Sequence, residues 1–304
     1  MRIAVTGSTG LIGSALCRSL LADGHEVVRL VRRPAAAGSR PDRSTEASWD
    51  PHRQYVDTAG LSGVEAVVHL AGAGIADRRW TPAYKRELRD SRVLGTTAIA
   101  EACAALETPP RVLVSASAVG WYGQTGDREI DELSPPGHDF LARLCADWED
   151  AAAPAAEAGV RVVHPRSGLV VAARGGAFGR LFPLLRAGLG GRLGSGRQYW
   201  SWISLEDEVA ALRFLIENPE LEGPVNLTGP RPATNAELTA VAGRVLGRPT
   251  LLSVPTPALK LALGEMAIEV VGSHRVLPRR LLDAGYVFRQ PTPEAAIRAA
   301  LARA

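Results

Sequence analysis

Lysine is nearly missing from this chain: of its 304 residues only Lys85 and Lys260 carry an ammonium, so the basic total of 35 is almost all arginine. Chemistry that requires a lysine at a fixed place has two positions to draw on. Cysteine is scarce as well. Cys17, Cys103 and Cys145 are an odd number without Cys-x-x-Cys spacing, which supports neither a disulfide framework nor a zinc cage, and no metal site is expected. No apolar run reaches the roughly 20 residues that cross a bilayer. The chain opens at once on Arg2-Ile3-Ala4-Val5 rather than on a basic and then apolar leader. The expectation is a cytoplasmic protein with no membrane partner. Charge of one sign is not in excess, since 35 basic side chains face 32 acidic ones for a net +3. The two signs interleave, which argues against a nucleic-acid partner.

What the chain does have is alternation. Short apolar runs near 2–6, 26–31, 45–49, 65–70, 111–115 and 161–166 are separated by helical patterns near 11–22, 82–105 and 138–157. That rhythm predicts a doubly wound parallel sheet, Rossmann-like, covered on both faces. Thr81-Pro82 and Ser204 read as helix starts, and Thr234 with Glu237 as a capping box. Beyond residue 170 the rhythm changes. The reading assigns 1–170 to a dinucleotide-binding domain to whose sheet 200–230 returns, through a buried strand at Val225-Asn226-Leu227. It assigns 171–304 mainly to a smaller substrate-side region, with 255–304 a C-terminal helical piece. That piece is expected to hold an amphipathic helix (Leu259, Leu263, Met266, Val270), a strand at Tyr286-Val287-Phe288 and a last helix opened by Thr292-Pro293.

Thr6-Gly7-Ser8-Thr9-Gly10-Leu11-Ile12-Gly13 follows the first strand and opens a helix. Glycines there let backbone N–H groups approach a pyrophosphate at the helix N-terminus. Context carries the argument, because Gly188, Gly191 and Gly194 repeat the same spacing after a helix and before an aromatic patch. At the end of the second strand, where an acid would take the 2′-hydroxyl of NAD, the chain has Arg32-Arg33, and no acid follows until Asp42. Two guanidiniums suit a 2′-phosphate, so the cofactor reading is NADP(H).

Further motifs carry a resemblance. The loop TGSTGLIG, Val68-His69-Leu70-Ala71-Gly72, Ser115-Ala116-Ser117 with Tyr122-Gly123, and Trp202-Ile203-Ser204-Leu205-Glu206-Asp207 are similar to the extended short-chain dehydrogenase/reductases of the epimerase/dehydratase group. Trp80, Ser91-Arg92, Asp147-Trp148-Glu149, Gly194 to Gln198, Gly264-Glu265-Met266 and Val276-Leu277-Pro278 bring the chain closer to one branch. These are the "epimerase family" proteins, sometimes labelled cell-division inhibitors, with a C-terminal domain of unknown function. The resemblance implies NADP(H) binding, with Leu70, Ala71, Gly72 and Ser115 beside the cofactor and Ser117 aligned with the family's active-site serine.

The departure is a missing acid/base pair. Short-chain reductases use a tyrosine and a lysine four residues later, but four residues after Tyr55, Tyr84, Tyr122, Tyr199 and Tyr286 come Ala59, Leu88, Gly126, Ile203 and Gln290. In the corresponding helix, Asp139-Phe140-Leu141-Ala142-Arg143-Leu144-Cys145, an apolar residue replaces the tyrosine and Leu144 or Cys145 the lysine. Ser117 reads equally as an active-site serine or as one tying off a strand. Tyr122 is a candidate proton donor in the loop beyond it, although a lone phenol titrates near 10. His69 reads more readily as a core histidine, and His138-Asp139 as a loop pair with acid/base capacity. Arg197, Gln198, Trp200 and Trp202 form either a substrate wall or a packed domain seam. Two functions stay open: an oxidoreductase or epimerase-like enzyme with an atypical acid/base group, and a cofactor-binding regulator without turnover. The identity of the small-molecule substrate and the oligomeric state are not legible.

Overall fold

Seven strands, β1 (Arg2–Val5), β2 (Glu26–Val31), β3 (Thr45–Asp50), β4 (Ala66–His69), β5 (Val112–Ser115), β6 (Arg161–Ser167) and β7 (Gly223–Leu227), lie parallel in the order β7-β6-β5-β4-β1-β2-β3. The computed structural model describes residues 1–302. Every strand anticipated up to residue 166, and the one at Val225-Asn226-Leu227, falls in this sheet. Tyr55–Val56 adds a short antiparallel edge beside β3. From β1 the chain winds outward through β2 and β3, then returns to place β4 on the other side of β1. That reversal opens a crevice at the carboxyl ends of β1 and β4, the place where open α/β sheets bind ligands.

The sheet is buried on both faces because its side chains alternate. Ile3, Val5, Val27, Val68 and Val114 point one way and pack with Leu16 and Leu20 of α1 (Leu11–Ala22) and with Leu212 and Leu215. Ala4, Val28, Val67 and Leu113 point the other way, against Ile99 and Cys103 of α2 (Pro82–Ala105). Each fully buried leucine contributes about 1.5–3 kcal/mol. The helix expected over 138–157 divides into α3 (Phe140–Asp150), capped by Asp139, and a short turn at Ala153–Glu157. Beyond it come α4 (Gly176–Arg186), α5 (Leu205–Glu217) under its Ser204 cap, and α6 (Asn235–Leu246) with the Thr234–Glu237 capping box in place. The three cysteines are buried and unbridged, and burial pushes the Cys103 and Cys145 thiols up to about 12.

Two C-terminal expectations fail for local reasons. The amphipathic helix through Leu259 and Val270 is broken into α7 (Thr256–Leu263) and α8 (Ala267–Val271), because Gly264 takes a left-handed φ of 64°. Tyr286-Val287-Phe288 forms no strand. Tyr286 and Phe288 stack edge to face at 4.9 Å, and the Arg289 and Gln290 N–H groups donate to the buried Asp207 carboxylate at 2.8 and 2.9 Å. A carboxylate on α5 thus satisfies backbone groups that a ladder would otherwise serve.

Glu208, next along α5, accepts the Ser167 hydroxyl at 2.6 Å through Oε1, while its buried Oε2 has no partner. Burial raises this carboxyl from 4.5 to about 8. The native state therefore keeps a proton that the unfolded chain gives up, and stability falls as pH rises from about 4.5 to about 8. Glu208→Gln removes that titration. Its advantage over the parent in chemical denaturation should grow from pH 5 to pH 8 by roughly 3–4 kcal/mol. An equal difference at both pH values would refute the assignment.

Candidate functional site

The loop between β1 and α1 is built so that only glycine fits at two places. Gly7 has φ +62°, and a Cβ on it would stand 2.8 Å from the Leu70 carbonyl carbon. A Cβ on Gly13 would stand 2.3 Å from the Gly7 carbonyl oxygen. α1 begins behind Gly10 with no side chain capping it, so its first N–H groups are left for an anion. Thr9 and Gly10 are exposed, Ser8 is buried, and Leu11 and Ile12 are half-buried. Thr6 ties this loop to the neighbouring strand end: its hydroxyl oxygen accepts the Leu70 and Ala71 N–H groups at 3.0 and 3.1 Å. The Thr6 proton then goes to Nδ1 of His69 at 2.9 Å, which assigns the imidazole as Nε2-protonated. Burial holds that ring neutral, with its pKa lowered to about 3. His69 is a strut under the groove, and the exposed Gly72 forms part of the rim.

At the end of β2 the two expected arginines part ways. Arg33 pairs with Glu46 at 2.7 Å, and Arg40 closes on the same carboxylate. The hydrogen bond from Arg33, helped by the Ala36 N–H, holds Glu46 well below the usual range. Arg32 is exposed and has no partner among the described residues. Sequence reasoning overlooked Arg29, which lies inside the valine-rich strand. It donates to the Ser8 carbonyl at 3.1 Å, to Ser44 Oγ at 2.9 Å and to Asp42 at 2.7 Å. The first acid after the arginine pair is therefore already engaged, and the loop is anchored to β2. A charge within an otherwise apolar strand was the available signal.

The residues expected to catalyse form a closed network instead. Ser117 donates to Glu149 Oε1 at 2.6 Å, and Arg166 clamps both Glu149 oxygens at 2.8 Å. Arg166 Nη1 reaches the Tyr122 hydroxyl at 3.1 Å, and that hydroxyl donates to Asn226 Oδ1 at 2.7 Å. The Arg166 guanidinium also lies 3.9 Å over the Trp121 ring. All five members of the hydrogen-bonded chain are buried. Burial pushes the Tyr122 phenol up to about 12, and its proton is engaged by Asn226, which weighs against Tyr122 as proton donor. Ser115 is fully buried, and its hydroxyl has no hydrogen-bond partner among the described residues.

The expected substrate wall resolves as seam. Trp200 and Trp202 pack in the core shared by α4, α6 and the last helix, α9 (Pro293–Ala302). Their indole N–H groups donate to the Val270 and Arg231 carbonyls at 3.1 and 3.0 Å. Gln198 is buried and donates to the Leu193 and Val270 carbonyls, which leaves Arg197 as the exposed member. An open cleft of about 210 Å³ lies elsewhere, lined by Trp80, Asp139, Phe140, Leu141, Glu265, Ile268 and Glu269. Phe140 and Leu141 stand where the resemblance would place the tyrosine, so this cleft faces the position of the missing acid. Burial, then the nearby Asp139 charge, raises the Glu269 carboxyl to about 7. Asp139 itself caps α3 through Ala142 N at 2.9 Å. His138 enters no hydrogen bond or ion pair among the described residues.

A parallel sheet with a glycine-gated, uncapped helix at its switch point defines a dinucleotide-binding protein of the Rossmann type. The chain belongs to the NAD dependent epimerase/dehydratase family, whose model matches residues 3–228, and residues 254–300 match a domain of unknown function, DUF1731. An epimerase family protein of Mycobacterium tuberculosis is 49% identical over 291 residues, covering 95% of this chain and 94% of that protein. The structure of human epimerase family protein SDR39U1 with NADPH superposes with a TM-score of 0.91 at 34% identity, covering 100% of both chains. A nucleoside-diphosphate sugar epimerase from Corynebacterium glutamicum gives 0.79 at 36% identity, covering 99% of this chain and 58% of that one. Among the described residues no helix is long and apolar enough to cross a membrane.

Proposed function

We propose that this protein binds NADP(H) in the crevice between β1 and β4 and acts as an oxidoreductase or epimerase-like enzyme on a small molecule, without the Tyr-x-x-x-Lys pair. The observation that carries the reading is the clearance at Gly7 and Gly13, where any side chain would collide with backbone. The SDR39U1 structure, which holds NADPH, supports the same reading. In this account α1 receives the pyrophosphate on its free N–H groups, Arg29 holds the Ser8 peptide in place, and Arg32 meets the 2′-phosphate. The bound cofactor supplies hydride chemistry at its nicotinamide. The proton has to come from elsewhere; of the three carboxyl groups at the cleft with Phe140 and Leu141, Asp139 caps α3 and Glu265 pairs with Lys85, while Glu269 is the one that burial raises to about 7. A missing general acid costs about 10²–10⁴-fold, so turnover of generic aldehydes and ketones should be slow.

The engagement of Ser117 by Glu149 and of Tyr122 by Asn226 favours a second reading, an NADP(H)-binding regulatory protein that performs no turnover. Whether bound NADPH is ever oxidised separates the two. The cofactor reading has its own test. NADPH should bind at least about tenfold tighter than NADH in calorimetry, equivalent to about 1.4 kcal/mol. Arg32→Ala should remove most of that preference, and Arg33→Ala less, because Glu46 already holds Arg33. Equal affinities for the two dinucleotides in the unaltered protein would defeat the proposal.

A further inference from the structure

Two of the buried arginines find their counter-charge inside the protein, Arg29 on Asp42 and Arg166 on Glu149, each at 2.7–2.8 Å. Arg92 does not. It projects from α2 with 9% of its surface exposed, and its interactions within the described residues comprise two carbonyls and a ring face. Nη1 donates to the Ala73 and Leu88 oxygens at 3.0 and 3.1 Å, and the guanidinium lies 4.9 Å from the Trp148 ring centroid. Nε and Nη2 have no partner, and neither is among the buried atoms that lack one, so both keep access to solvent.

The position matters as much as the missing partner. The guanidinium carbon lies 3.4 Å from where a Cβ on Gly72 would stand, and Gly72 is an exposed residue of the chain leaving β4 at the crevice. Also near the guanidinium are Trp148 and Cys145 of α3, the helix on which the family resemblance would place the lysine. Arginine stays protonated throughout the ordinary pH range, and a buried charge without a counter-ion costs several kcal/mol. Two carbonyl dipoles and one ring face offset only part of that cost, which leaves a forked donor edge suited to a bidentate anion.

We propose that Arg92 is an anion anchor: its Nε and Nη2 edge binds a carboxylate or phosphate oxygen of a ligand lying against Gly72. The inference rests on the reading of the crevice as a dinucleotide site. The anion has two sources, a phosphate of the dinucleotide or an acidic group on the substrate.

The experiment uses the full chain with Arg92→Gln and Arg92→Lys. NADPH is titrated by calorimetry, and the NADPH-loaded proteins are then melted with malonate or inorganic phosphate, against chloride of equal ionic strength. In the loaded parent, malonate or phosphate should raise the melting temperature above the chloride control if the substrate supplies the anion; if the cofactor supplies it, the rise should appear only in unloaded protein. If Arg92→Gln abolishes that rise and keeps NADPH affinity within twofold, the anion belongs to the substrate. If it weakens NADPH at least tenfold, the anion belongs to the cofactor. Arg92→Lys keeps the charge without the fork and should fall between the two, and it carries the test if Arg92→Gln does not fold. A variant that keeps both the affinity and the anion effect overturns the proposal. A parent that takes no NADPH overturns the cofactor reading instead, and the same anion melts on unloaded protein then decide the role of Arg92.

Discussion

Gly13→Ala should weaken NADPH binding by at least about a hundredfold, or about 2.7 kcal/mol, while leaving a folded protein. The added methyl would stand 2.3 Å from the Gly7 oxygen, and neither side yields easily. Gly7 is held by its carbonyl, which accepts the Gly10 N–H at 2.9 Å, and by the neighbouring Thr6 hydroxyl, which accepts from Leu70 and Ala71, while α1 is held by Leu16, Cys17 and Leu20 in the core. Relief therefore requires the helix start to move away from the loop, which takes the N–H groups off the phosphate they should meet. Overpacking of this kind costs about 1–3 kcal/mol in stability, which a protein with 5–15 kcal/mol in hand usually survives. Gly10→Ala separates fold from ligand: its Cβ would lie 3.2 Å from the same oxygen, a small adjustment for the protein, so a loss of affinity there reports crowding of the pyrophosphate itself. Calorimetric titration of both variants decides the matter, and an affinity within threefold of the parent for Gly13→Ala would show that the loop is not the phosphate site.

Arg166→Met should destabilise the protein by about 3–5 kcal/mol, the range for leaving one partner of a buried ion pair alone. Glu149 would lose both of its guanidinium bonds and keep only the Ser117 hydroxyl, and the Tyr122 hydroxyl would lose a donor. Removing Glu149 as well, in Glu149→Met with Arg166→Met, should recover most of the loss, because no uncompensated charge then remains. Tyr122→Phe, which breaks only the bonds to Asn226 and Arg166, should cost about 1–3 kcal/mol. The midpoint of urea unfolding measures all three. A loss under about 1 kcal/mol for Arg166→Met would mean that the network does not hold β6, α3 and β7 together.

The parts of the protein written in local pattern were legible. Apolar alternation records which face of a strand is covered, and the caps at Thr81, Ser204 and Thr234 each bond a backbone N–H three residues away. The glycine loop was legible for the same reason, since a strand, a tight turn and a helix follow one another within a dozen residues. The second glycine triplet shows the value of context: a Cβ on Gly191 would strike the Leu252 carbonyl, its partner in a short parallel pair. That spacing serves a strand contact and no phosphate.

Roles that depend on a distant partner could not be read this way. Ser117 and Glu149 are 32 residues apart, Tyr122 and Asn226 104, and Trp200 and the Val270 carbonyl 70. In each case the residue type suggested chemistry, and the fold brings up a partner that engages the same polar atom. Arg92 is the reverse case. Its sequence neighbours give no sign of an unpaired charge, and only the packing of α2 against Gly72 and Trp148 leaves its donors open. The sheet, the loop and the missing Tyr-x-x-x-Lys were all open to reading from residue order, because they depend on residue identity and short spacing. Which polar groups stay free to act was decided by tertiary structure alone, because a hydrogen bond or ion pair needs two groups within about 3 Å, and only the folded chain sets that distance.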